Sequence, residues 1–188
     1  MDFQLDDVAI FYHGTVDIYG NFIRKKGIRV FANSPVSLDF GPGFYLAQTN
    51  RDQVTELAKI RAKRVELPRP EILQLLEITP REFLKLRKNF RPVIISFKIR
   101  DKEKWGKLIH QDFFIHPTHV WQDHILNCRN TTTLCGHFDT TFGPVADGGI
   151  FSGYAHKIKA YETFNQLAIH TQRAADLFEV IDMEVIGE

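Results

Sequence analysis

The sequence is short of cysteine and of long apolar runs, and it lacks several familiar catalytic signatures. Cys128 and Cys135 are its two cysteines, too few for a disulfide-scaffolded secreted domain, so a reducing cytoplasm is the expected setting. No apolar run approaches the roughly 20 residues of a membrane helix, which excludes a helical span from the reading. The opening MDFQLDDVAIFY is acidic and its apolar stretch is short, so no secretory leader is expected. GxxxxGK[ST], GxGxxG, HExxH and GxSxG are absent. P-loop NTPase, dinucleotide-binding dehydrogenase, zincin and α/β-hydrolase readings therefore lose their usual support. Without repeats, low-complexity tracts or a Gly/Ser linker, residues 1–188 are read as one domain.

What is present is a 44% hydrophobic, 25% charged chain with 16 Phe, a profile that fits a soluble globular domain with a well-filled core. Its net charge of +1 is unevenly distributed. Residues 1–58 carry 5 basic and 7 acidic side chains, residues 59–107 carry 15 and 6, and residues 108–188 carry 4 and 10. The middle block is thus strongly basic, either a footprint for phosphate-bearing partners or the solvated face of surface helices.

Residues 8–12 read as a strand ending at His13-Gly14-Thr15, and Gly41-Pro42-Gly43 as a turn into a strand at Phe44–Ala47. Asn50 and Gln53 predict a capped helix of about 15 residues with Val54, Leu57, Ala58, Ala62 and Val65 inward. Pro68 and Pro70 end it. Thr79-Pro80-Arg81-Glu82 starts another helix, with Phe83, Leu84 and Leu86 inward. Residues 93–99 form the clearest strand. A helical pattern follows over Asp101–Asn127, with Trp105 and Trp121 as core anchors and Pro117 at a helix start. After residues 138–144 come a helix through Lys157, a strand near 166–171, a short helix at 173–178 and a strand at 180–186. Strands and helices without regular alternation predict an α+β fold.

The residues able to carry chemistry are dispersed: His13 beside Gly14, Tyr45 in Gly43-Phe44-Tyr45-Leu46, and Gln166 in Asn165-Gln166-Leu167-Ala168-Ile169. In this order they resemble the ADP-ribosyltransferase superfamily, in its diphtheria-toxin and poly(ADP-ribose) polymerase branch, whose signature is His, Tyr, Glu on three core strands. Asp39–Leu46, Phe142–Gly148 and Gln166–Leu177 are more closely similar to a bacterial domain family of formerly unknown function related to those transferases. The resemblance spans about residues 10–182. It implies a split β-sandwich of two small sheets with flanking helices, NAD as co-substrate and a mono-ADP-ribosyltransferase activity.

The resemblance also implies roles. His13 would bond the adenosine ribose, while Gly14, with Thr15 beside it, would bring backbone to the nicotinamide carboxamide, an approach that a Cβ obstructs. Tyr45 would stack on the nicotinamide ring. Gln166 stands where the family has Glu, at the ribose that gains oxocarbenium character, and an amide brings neither charge nor a general base. Chain elongation is therefore not expected; single transfer, or a catalytically silent module binding NAD, ADP-ribose or nucleic acid, are the two readings. Asp147 is a candidate for orienting substrate or acceptor, and Arg51 for meeting the pyrophosphate.

The acceptor is expected to be RNA or DNA, favoured slightly by the basic block, or a protein. The same resemblance implies a toxin or anti-phage effector restrained by a neutralising partner protein. His110, His116, His119, His124, Cys128, Cys135 and His137 have zinc-type ligands, but their spacings match no standard finger, and no metal is expected.

Overall fold

The computed structural model describes residues 9–32, 38–48, 50–113, 118–147 and 158–187. The first strand, β1 (Phe11–Val16), runs straight through His13-Gly14-Thr15 instead of ending there. Its whole length pairs antiparallel with β3 (Pro92–Ile99), from Phe11↔Phe97 to Val16↔Pro92, and that ladder holds Gly14 extended. Glycine is needed there for a different reason: a Cβ would stand 2.6 Å from the Val54 carbonyl oxygen.

Between these strands lie α1 (Asp17–Lys26), β2 (Phe44–Ala47), α2 (Arg51–Lys63), α3 (Pro70–Leu75), α4 (Pro80–Leu86) and a 3-10 turn at Arg87–Asn89. Asn50 caps α2 by accepting the Gln53 N–H, and Thr79 with Glu82 closes a full capping box on α4. Val54, Ala58 and Phe83 face inward as expected. Leu57, Leu84 and Leu86 do not, at 51%, 40% and 46% exposed, because each helix buries only a narrow stripe, α2 through Val54 and Ala58 and α4 through Phe83 against Tyr19 and Phe90.

The stretch from Asp101 to Asn127, expected to be helical, is divided into α5 (Lys102–Trp105), β4 (His110–Asp112) and α6 (His119–Arg129). Parallel pairing of β4 with β5 (Thr140–Asp147) draws His110–Asp112 into the sheet. Trp105 and Trp121 are buried, as anchors should be. β6 (Lys159–Ile169), α7 (Gln172–Ala175) and β7 (Phe178–Val185) complete the chain. The start at Pro117 and the helix through Lys157 lie outside the described residues.

Mixed helix and strand is the observed class. The two small sheets expected from sequence are, among the described residues, one seven-stranded sheet ordered β4-β5-β6-β2-β1-β3-β7. A single Cα partner pair, Tyr12↔Ala47, makes the join between β2 and β1. By contrast, β1–β3 and β2–β6 run in continuous register. The sheet is therefore two halves hinged at one rung. Phe11, Phe97, Trp105 and Phe178 fill the main core edge to face, with ring centroids 5.5–6.5 Å apart. A second core gathers Phe40, Phe113, Trp121, Ile125 and Ala168. Among the described residues no helix is long and apolar enough to cross a membrane. Cys128 and Cys135 are joined as a disulfide, a local crosslink between residues 7 apart in sequence.

Candidate functional site

Register brings the three dispersed residues to the hinge. Ala47 is the partner of Tyr12 on β1 and of Gln166 on β6, so these residues form one row across three strands. Tyr45 lies two residues before Ala47 and opposite Ala168. By strand alternation Tyr45 and Gln166 share a face of the sheet, while His13, next to Tyr12, projects from the opposite face, where it meets Phe44. Continuing the single β1–β2 pair antiparallel would set Gly14 against Tyr45, but no ladder pair forms there. The backbones part at that point.

His13 closes the gap. Its Nδ1 lies 2.8 Å from the Tyr45 carbonyl oxygen, and since a carbonyl only accepts, Nδ1 carries the proton. Its ring stacks on Phe44, with centroids 4.3 Å apart. Burial first, then the nearby Arg61 guanidinium, push the His13 pKa down to about 4 against the opposing bond to Tyr45. The ring is thus neutral near pH 7, with Nε2 left as an acceptor. Arg61 also reaches the Gly14 carbonyl at 3.4 Å, which puts a cation of the basic block beside His13.

The Tyr45 hydroxyl is held by the loop before β2: it donates to the Gly41 carbonyl at 2.6 Å and accepts the Phe40 N–H at 3.1 Å. Burial raises its pKa, so the phenol stays protonated. The turn requires its glycines. Gly41 has φ +76°, and a Cβ on Gly43 would lie 2.8 Å from the Ile169 carbonyl oxygen. His170 braces the same turn, donating from Nδ1 to the Pro42 carbonyl at 2.8 Å and accepting the Thr141 hydroxyl at Nε2, 2.9 Å away.

Gln166 is fixed by a carboxylate. Its Nε2 donates to Asp39 Oδ2 at 2.8 Å, and the same oxygen accepts the Ala146 N–H at 2.9 Å. Asp39 Oδ1 receives Arg129 Nε at 2.9 Å and Nη2 at 2.7 Å, a two-pronged ion pair whose side chains are 13% and 10% exposed. Arg129 also donates to the Ala146 carbonyl at 3.0 Å. One of the two Gln166 amide hydrogens is thus committed to Asp39, which keeps Oε1 turned away from the carboxylate.

The remaining candidates are more scattered. Thr15 is buried within β1. Arg51 forms an ion pair with Glu184 of β7, so its charge is already compensated. Asp147 is exposed at the end of β5, opposite Lys159. Among the described residues no group of three or more His, Cys, Asp or Glu is arranged to hold a metal ion; His116 lies outside them.

Asp39, Arg129 and His170 are the members of this neighbourhood to which sequence assigned no site role, and Arg61 is expected only as part of the basic block. Asp39 stands just before Gly-Pro-Gly and so resembles a turn residue. Arg61 does carry a signal, seven residues after Val54 on the stripe that packs on Gly14. Comparison of the chain with protein-family models, with curated proteins and with solved structures finds no match for it.

Proposed function

We propose that the chain has an ADP-ribosyltransferase-like fold, its two sheet halves joined at one rung, and that it cleaves the nicotinamide–ribose bond of NAD and transfers a single ADP-ribose. The observation that carries this reading is the parting of β1 and β2 after Tyr12↔Ala47, with His13 and Gly14 on one strand, Tyr45 on the other and Gln166 in the same row. His13, neutral with Nε2 free, suits a ribose hydroxyl as donor to it; Tyr45 offers its ring, since its hydroxyl is engaged elsewhere.

In the reaction the C–N glycosidic bond breaks with its electron pair leaving on nicotinamide. Positive charge grows on the ribose carbon and ring oxygen, and Gln166 Oε1 stabilises it through the ribose hydroxyls. The acceptor's nucleophile then forms the new bond to that carbon and loses its proton. Arg61, at the end of α2 next to Gly14, links the basic block to the site, which favours an RNA or DNA acceptor over protein. A toxin or anti-phage effector of the cytoplasm, held in check by a neutralising protein, is the biological setting this reading implies.

The test is purified protein with labelled NAD and, separately, total cellular RNA, single-stranded DNA and cell protein. Nicotinamide release and label on one pool, both lost with Tyr45→Ala, is the expected result. NAD binding without release under any addition would replace the transferase by a silent binding module. If the acceptor is nucleic acid, transfer weakens steeply with salt and with charge reversal at Arg61, Lys63 and Arg64.

A further inference from the structure

The amide at position 166 has a carboxylate behind it, and this changes what the missing acid means. We infer that Asp39, held by Arg129, is the positioning residue that fixes the orientation of the Gln166 amide; the inference rests on the transferase reading. A free glutamine amide turns either end toward a ligand, donor or acceptor. Here Asp39 Oδ2 only accepts, so Nε2 is turned to it at 2.8 Å and Oε1 is the end left over. The carboxylate polarises the amide it receives, and hydrogen-bonded groups in a partly dry site strengthen one another. Arg129 holds Asp39 in place through two bonds to Oδ1, while the Ala146 N–H fixes Oδ2. Asp39 precedes the turn that carries Tyr45, so one carboxylate sets both the amide and the start of that turn.

A consequence runs against simple family logic. Placing the family's acid at 166 would set two carboxylates where Asp39 and Gln166 now share a proton-bearing bond, and the pair would repel. Gln166→Glu should therefore lower nicotinamide release by about tenfold, since a displaced group misplaces the reacting sugar. Asp39→Asn should do the same, because whichever way the new amide turns its NH2 meets a donor, the Gln166 NH2 and Ala146 N–H on one side or Arg129 on the other. Combined, the two substitutions restore a bond, with the amide introduced at position 39 donating to the carboxylate introduced at position 166. Release should then return to within about threefold of the original protein, a double-mutant cycle with strong coupling.

The experiment measures nicotinamide release from NAD and thermal unfolding for the unaltered protein, both single variants and the double variant. Losses in the singles with recovery in the double, at similar melting temperatures, support the inference. Additive losses, or a Gln166→Glu protein as active as the original, overturn it while leaving the transferase reading standing. If Asp39→Asn does not fold, Gln166→Glu alone decides by the same criterion. An original protein that folds but releases nothing overturns the transferase reading and this role together.

Discussion

The β1–β3–β7 half of the sheet and the β4–β5–β6–β2 half are held together by different chemistry. In the first, Phe11, Val93, Ile94, Ile95 and Phe97 are almost wholly buried, and Thr15 is its one buried polar side chain among the described residues. In the second, Asp139, Thr140, Thr141 and His170 are buried as well, and Asp39 with Arg129 nearly so. One half is a hydrophobic platform; the other is threaded with polar side chains that must be paired to be buried. The proposed site lies where they meet, so the platform fixes His13 while the polar half fixes Tyr45 and Gln166.

Breaking the platform should cost most. Phe97 is 1% exposed and meets Phe44 and Phe178 edge to face. Phe97→Ala should lose about 3–5 kcal/mol in denaturant unfolding; a loss under about 1 kcal/mol would mean that this half is not the platform described.

Breaking the polar half should cost somewhat less. Asp139, 1% exposed, accepts the Ile109 N–H, the Thr171 hydroxyl and two Arg173 nitrogens. Asp139→Ala strands the two uncharged donors, while Arg173 is 63% exposed and can turn to water, so about 2–4 kcal/mol is expected. Burial alone would raise the Asp139 pKa, but the bonds from Arg173, Thr171 and Ile109 outweigh it and hold the carboxyl below its ordinary value. A depressed carboxyl adds stability above its unfolded pKa of about 3.9 and loses it as pH falls through the folded value. Acidification below about pH 4 should therefore erase the difference between the original protein and the variant in a thermal-unfolding series.

His13 gives the smallest effect and sharpens the contrast at the junction. Its folded pKa of about 4 lies below the unfolded value of 6.5, so the unfolded chain takes up the proton first. Stability should decline as pH falls from 6.5 toward 4, and His13→Gln should flatten that slope in melting curves. His124, pushed by burial to about 4, and His170, also lowered by burial, keep part of it.

Sequence reading served the two halves unequally, for the same physical reason. The apolar run at 93–99 and the Trp105 and Trp121 anchors are visible because burial of a hydrophobic side chain follows local pattern. The capping box at Thr79 and the Asn50 cap are visible because caps are short-range chemistry. Pairing of β4 with β5, which interrupts the expected helical stretch, is not, since strand partners are set by contacts distant along the chain. Nor is Asp39–Gln166, which joins residues 127 apart. One signal was there to use. Residues 108–188 hold only 4 basic side chains, and two of them, Arg129 and Arg173, pair with the buried or nearly buried carboxylates of Asp39 and Asp139.

Whether the hinge between the halves receives NAD against His13 and Gln166 is decided most directly by an NMR titration with NAD. It follows the His13 ring and the Gln166 side-chain amide, each assigned by substitution. Saturable shifts at both, with His13 remaining neutral, are predicted. NAD that leaves both signals unchanged, whether or not it shifts others, would contradict binding at the hinge.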